Sequence, residues 1–431
     1  MTLTMKNLWG SVLAAVLAFG GVMTVQAETG APAPRRWAGG DISLLPEYEK
    51  AGAKYGDTSG RLLPGTLLDY LKQEKWNVMR VRLFVAPEKY TGQKDPNACQ
   101  DFNYILPLCQ RIVQNGYALM LDFHYSDTWA DPAAQWTPAD WASLTDEQLY
   151  QKIYDYTKTV LDDLKAAGVV PTFIATGNEI SFGMLWGPYG TPTAQQKRCY
   201  INSDANWDRL TTLLKQAGKA CREVCPEAKI ILHTERTDDL PVQDNFYKKM
   251  NEAQVDYDII GLSYYPYFHG DIINLKGGIE HAVATSPGKE VQVVELGYSY
   301  AWEVPGTKFD FSGKWPYSQD GQLKFVQDVV ALCEGYPECT GILWWWPEYN
   351  AYGTSLTGWY NAALWDSTNG KASPAIGALG SFATDNSAVK TIAADGEDAE
   401  AWHTIQGLSL PSAPTEPGIY IHGRRKVAVT R

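Results

Sequence analysis

Eight times along this chain, a short apolar run rich in β-branched residues gives way to a helical pattern. The runs lie near 37–43 ("WAGGDIS"), 78–85 ("VMRVRLFV"), 117–124 ("YALMLDFH") and 171–177 ("PTFIATG"). Four more lie near 229–234 ("KIILHT"), 257–264 ("YDIIGLSY"), 289–295 ("KEVQVVE") and 340–346 ("TGILWWW"). In "DEQLYQKIYDYTKTVLDDLKAAG", Leu149, Ile153, Tyr156, Val160 and Leu164 share one helical face, and Gly168 ends the helix. Trp207, Leu210, Leu214, Ala217, Cys221 and Val224 form a second such face, stopped by Pro226. A helix between each strand and the next implies a parallel sheet, and eight such units close into a (β/α)8 TIM barrel. The alternative, an open doubly wound sheet, usually carries a Gly-rich phosphate loop after its first strand, which this chain lacks.

The strands end in residues capable of chemistry. In chain order these are Asp41, Arg80 and Arg82, Asp122 and His124, Asn178 and Glu179, His233, Tyr264 and Tyr265, Glu295, and Trp345 with Trp346. A barrel gathers such ends on one face, where active sites sit. Alternation puts Arg80 and Arg82 on one side of their strand, and Ala118, Met120, Asp122 and His124 on one side of theirs. An inward row of polar groups is a poor core and a good site floor.

The 431 residues are 45% apolar, enough for a sizeable core, and the net charge is -12. Nucleic acid or another polyanion would not be drawn to that surface. Sixteen Trp and 25 Tyr cluster in "DTWADPAAQWTPADW", "GLSYYPYFHG" and "ILWWWPEY" beside turn residues. Broad rings in such places suit the stacking of sugar faces, and a neutral polysaccharide is the partner they fit.

Lys6, the apolar "LWGSVLAAVLAFGGVMTV" and "VQA" before Glu28 read as an export signal, residues 1–27, cleaved after Ala27. The destination is periplasm, cell surface or medium. No other run is long enough to span a bilayer. Seven cysteines in an exported chain permit disulfides, and Cys333 and Cys339 in "CEGYPEC" are close enough to close a small loop. The catalytic domain is assigned to 28–383. From 384 to 431 the strand–helix rhythm stops, and the segment reads as a small β-type module or a disordered extension. The chain is expected to act as a monomer.

Several chemistries fail on residue grounds. The six histidines lie alone at 124, 233, 269, 281, 403 and 422, which argues against a His-based metal site. "GLSYY" and "GYSYA" are not Gly-x-Ser-x-Gly elbows, and no nucleotide loop exists. Two glutamates remain. Glu179 and Glu295 close the fourth and seventh strands, which face one another across the barrel mouth. Paired carboxyls flanking a glycosidic bond, one protonated and one ionised, are the machinery of glycoside hydrolysis, with no cofactor required. Arg80 or Arg82 beside one of them would hold it charged.

The segments "GGDISLLPEYEKAGAKYGD", "VRLFVAP", "LDFHYSDTWADPAAQ", "GNEISFGMLWGPYG", "YDIIGLSYYPYFHG" and "VVELGYSY" resemble glycoside hydrolase family 53, the endo-β-1,4-galactanases. The resemblance runs from about Trp37 to about Gly380. It implies a retaining enzyme with Glu179 as acid/base and Glu295 as nucleophile. It further implies Asn178 on the sugar 2-OH, and Arg80 or Arg82 beside the nucleophile. His124, Tyr264 or Tyr265, and a tryptophan of "WWW" would line the central subsite. Asp41, Asp127, Trp129 and His233 complete the substrate-binding candidates. Two departures stand out. Leu296 follows the nucleophile where the family often has Thr. Bacterial members are expected to hold a structural calcium after the seventh strand, yet here that loop offers mainly Glu303, Asp310 and Asp320. Whether calcium binds stays open at this point. The rival readings are a retaining endo-glycanase acting on mannan, xylan or β-glucan, and a carbohydrate-binding barrel without catalysis.

Overall fold

A computed structural model describes residues 35–202, 204–356 and 362–383, and, towards the C-terminus, 402–404, 409–410, 413–414, 418–422 and 425–429. The expected export signal at 1–27 lies outside the described residues. Eight parallel strands close into a barrel in sequence order: β1 Trp37–Asp41, β2 Val78–Leu83, β3 Ala118–Phe123, β4 Phe173–Ala175, β5 Lys229–Thr234, β6 Ile259–Tyr264, β7 Glu290–Leu296 and β8 Cys339–Trp345. β1 pairs with β8 to close the ring, with Asp41 opposite both Trp345 and Arg80.

Alternation sorts the side chains into two cores. Inside the barrel, Trp37, Val78, Met120, Phe173, Ala175, Ile231, Ile259, Val294 and Leu343 form a sealed plug. The opposite faces of the same strands pack on the helices. The helix Asp146–Ala166 starts at a Thr145–Gln148 capping box and buries Leu149, Ile153, Val160 and Leu164. Trp207, Leu210, Leu214, Ala217, Cys221 and Val224 are buried along the helix Asp204–Val224. Each such apolar side chain contributes about 1.5–3 kcal/mol by leaving water, so the plug and the helix shell make the barrel a rigid seat for its mouth.

Two strands depart from the expected pattern, and both departures aim a glutamate. β4 spans only Phe173–Ala175, because Gly177 (φ +124°) and Glu179 (φ +48°) leave extended geometry. A left-handed backbone at a non-glycine residue costs on the order of 1–2 kcal/mol and marks a constrained position. In β7 the pairing skips a residue: Leu262 faces Val293, but Ser263 faces Glu295. That bulge lets Val294 and Glu295 both turn inward, whereas strict alternation from Val294 would send Glu295 toward the helices.

The seven cysteines are unpaired, with Cys333 and Cys339 buried in side-chain contact, so the loop closure admitted by their spacing is not made. Past the barrel, β9 Trp402–Thr404, β10 Ser409–Leu410, β11 Gly418–His422 and β12 Arg425–Val429 form an antiparallel sheet in the order β10-β9-β11-β12. No described helix is long and apolar enough to cross a membrane.

Candidate active site

The floor of the barrel mouth is organised by one guanidinium. Arg80 Nη1 donates to Glu295 Oε1 at 2.7 Å, while Nη2 donates to Asp122 Oδ2 at 2.7 Å and to Asn178 Oδ1 at 2.6 Å. Arg82, one pleat further along β2, donates to Asp41 Oδ1 at 2.7 Å. Its guanidinium carbon lies 4.7, 5.3 and 4.9 Å from the ring centres of Trp129, Trp345 and Trp346. Thus the choice between the two arginines is decided by reach: Arg80 holds Glu295, and Arg82 props up the aromatic floor.

Glu179 is held on the opposite wall. Ser263 Oγ lies 2.6 Å from Glu179 Oε1 and 2.8 Å from His233 Nε2, and His233 Nδ1 lies 2.9 Å from Asn178 Oδ1. Asn178 is fixed by donating to Ala130 O at 2.7 Å. Burial, then the positive Arg80, drive His233 well below its ordinary pKa, so the ring is neutral. With Asn178 Oδ1 accepting, the ring proton sits on Nδ1, and Nε2 must accept the Ser263 proton. A protonated Glu179 satisfies this chain by donating to Ser263, whereas an ionised one competes for the same hydroxyl proton.

Burial, and next the negative charge of Glu295, raise Glu179 well above the ordinary carboxyl range. Burial raises Glu295 too, but Arg80 opposes it, and Tyr265 Oη donates to Glu295 Oε2 at 3.0 Å. Burial and both glutamates keep the Tyr265 phenol protonated and able to donate. Of the two carboxyls, Glu179 therefore keeps its proton to higher pH, the division a two-carboxyl hydrolase needs. Against burial, Arg80 and His124 hold Asp122 well below its usual value. His124 Nδ1 accepts from Ala130 N–H at 3.0 Å, and Nε2 lies 3.1 Å from Asp122 Oδ2.

A cleft of about 580 Å³ opens over these groups, lined by His124, Trp129, Asn178, Glu179, Tyr265, Glu295, Trp345 and Trp346 among others. Asp41, Arg80, Arg82 and His233 sit beneath that lining, at most 1% exposed, and position it rather than face it. Two expected site residues lie elsewhere. Tyr264 ends β6 on its outward side, stacked near Phe325, with its hydroxyl on Gly270 O; the neighbouring Tyr265 is the one that reaches the cleft. Asp127 accepts from Ala86 N–H at 3.0 Å and Ala139 N–H at 2.7 Å, so it braces two loops outside the cleft.

The cleft also contains residues not expected from sequence, notably Glu235, Arg236, Asp238, Phe268, His269 and Lys308. Ser263, buried behind Glu179 and outside the lining, is likewise not expected from sequence. Parity was the available signal: Ser263 follows Gly261 on the inward face of β6, and Glu235 follows His233 on that of β5. Among the described residues no three His, Cys, Asp or Glu side chains gather as a metal site would need. Asp310 accepts from Ser312 and Tyr317, Asp320 lies in the first turn of the helix Gln319–Glu334, and among the described residues neither joins Glu303 in a cluster of three, so the loop acids do not fit a calcium cage.

The description "Glycosyl hydrolase family 53" matches residues 37–379, the whole barrel. The chain belongs to this family. A probable arabinogalactan endo-beta-1,4-galactanase A of Neosartorya fischeri is 31% identical over 338 residues, 75% of this chain and 88% of that protein. An endo-beta-1,4-galactanase of Bacillus subtilis is 29% identical over 335 residues, covering 76% and 73%. The solved catalytic domain of a family 53 member from Ignisphaera aggregans superimposes with a TM-score of 0.69 at 28% identity, covering 81% of this chain and 97% of that one. The family 53 barrel thus accounts for the described mouth, and this protein is a glycoside hydrolase.

Proposed function

We propose that this family 53 enzyme is an endo-acting β-1,4-galactanase that works by double displacement, with Glu179 as acid/base and Glu295 as nucleophile. The observation that carries the reading is the asymmetry across one cleft. Arg80 and Tyr265 solvate Glu295 as a carboxylate, and the Ser263–His233–Asn178 chain favours a proton on Glu179. In the first step Glu295 attacks the anomeric carbon while the Glu179 proton passes to the departing glycosidic oxygen. The covalent glycosyl–enzyme is then opened by water, whose proton returns to Glu179. Asn178, anchored by Arg80 and Ala130, is placed to bond the 2-OH beside the anomeric carbon.

Galactan is favoured by the relatives' activity, and the ring-lined cleft supports stacking of several consecutive sugars, as mid-chain attack requires. Mannan, xylan or β-glucan as principal substrate is the reading this disfavours. The N-terminal signal pattern supports export, and we take the working enzyme to be a monomer whose catalytic unit is 28–383. Purified protein incubated with unbranched galactan should lower viscosity ahead of reducing-sugar release, and proton NMR should show the β-anomer first. An initial α-anomer, or faster release from mannan or carboxymethylcellulose, would overturn the assignment.

A further inference from the structure

Glu235 stands just past the end of β5, two residues beyond His233, and lines the same cleft as Glu179. Its side chain is tied to the acid's own loop. Ser181, two residues after Glu179, hydrogen-bonds Glu235 Oε1, and the neighbouring Arg236 guanidinium lies 5.0 Å from the ring centre of Phe182. Arg236 Nη1 comes no closer than 3.9 Å to Glu235 Oε1. Glu235 Oε2 has no hydrogen-bond partner, although the residue is only 3% exposed. A buried carboxyl oxygen without a partner, on a residue that lines a cleft, is an acceptor that a bound ligand can satisfy.

We infer that Glu235 is a substrate-binding carboxyl on the leaving-group side, its Oε2 hydrogen-bonding a hydroxyl of the sugar that departs with the glycosidic oxygen. The inference rests on Glu179 being the acid. The acid reaches toward the glycosidic oxygen and the nucleophile toward the anomeric carbon, so groups carried by the acid's loop flank the departing sugar. Glu235 shares that loop through Ser181 and makes no hydrogen bond to Arg80, Asp122 or Glu295, which surround the anomeric side. Burial, with no cation in hydrogen-bond reach, pushes Glu235 up to about 7. Either protonation state offers Oε2 to a sugar hydroxyl, as acceptor or as donor.

The test compares two leaving groups in the full-length protein. Linear β-1,4-galactan presents a departing sugar, and dinitrophenyl β-1,4-galactobioside presents an aryl group with no hydroxyl to bind. Glu235→Ala, which removes the carboxyl altogether, should lower kcat/KM on galactan about 10- to 100-fold, and the loss should exceed that on the aryl substrate at least about tenfold. Glu235→Asp, which withdraws the carboxyl, should show the same selectivity and serves if the first variant fails to fold. Equal losses on both substrates would make Glu235 a brace for the loop and overturn the inference, as would no loss on galactan. Glu179→Gln run alongside separates the premises: retained galactan cleavage there would fault the acid assignment, whatever Glu235 does.

Discussion

Arg80 is bonded at once to Glu295 and to Asn178, so one guanidinium fixes the nucleophile and the residue preceding the acid. It also lies within 3.6 Å of Asp41 and 2.7 Å of Asp122, and all of these side chains are almost wholly buried. Arg82 also holds Asp41, so removing the Arg80 cation takes the counter-charge from two buried carboxylates, Glu295 and Asp122, a loss of about 3–5 kcal/mol. Lysine offers a point charge without the fork and cannot replace these bonds. Arg80→Lys should lower the melting temperature. Because Arg80 opposes the rise of Glu295, the acid limb of kcat/KM should move to higher pH. An unmoved acid limb would mean that Arg80 does not set the nucleophile's charge.

The two glutamates should fail in different ways. Glu295→Ala should abolish turnover on every substrate, because no glycosyl–enzyme can form. Glu179→Ala should nearly abolish galactan cleavage yet spare the first step on a dinitrophenyl galactoside, whose leaving group needs little protonation. Azide should then restore turnover by replacing the activated water. Identical behaviour of the two variants in a burst and azide-rescue assay would refute the division of roles.

The barrel should survive loss of the C-terminal segment, provided the cut falls after Ala383. Trp76 Nε1 donates to Ile376 O at 2.9 Å, and Phe382 is buried, so the helix Ala375–Gly380 and its exit belong to the barrel. The strands between 402 and 429 pair with one another and add none to the ring. A 28–383 protein should therefore keep its galactanase rate within about twofold and its melting temperature within a few degrees. Insoluble expression would show that the tail supports the fold.

These particulars also show what a sequence can carry. Strand alternation places Arg80, Asp122 and His124 inward, and the strand ends locate Asn178 and Glu179, because period-two patterning is local. Glu295 is a different matter. Its place at the end of the seventh strand is legible, but its inward aim depends on a bulge set by pairing with β6, which alternation along one strand does not reveal. Tyr264 and Tyr265 are chemically alike and adjacent, and only the closed barrel tells which one faces Glu295. Asp127 sits in a segment that bears the family likeness, yet both its oxygens are used on backbone amides. Glu235 lies in none of the family-like segments and Ser263 in one without being singled out, since their roles come from what three different strand ends bring near them.

A last prediction concerns stability rather than catalysis. Glu348 is fully buried beside the floor, and its Oε1 accepts from Leu44 N–H at 2.8 Å. Burial, then the negative Asp41, push it up to about 8 from an ordinary 4.5. Between those values the folded chain holds a proton that the unfolded chain has released, so this group's contribution falls as pH rises. Its stabilisation is complete below about pH 4.5 and lost as pH climbs through about 8. Glu348→Gln keeps the acceptor for Leu44 and removes the ionisation. The variant should gain on wild type by on the order of 3 kcal/mol as pH rises from 5 to 9. Urea unfolding at several pH values reads that gain directly. A difference that stays flat with pH would mean that Glu348 ionises in the folded protein as readily as in the unfolded one.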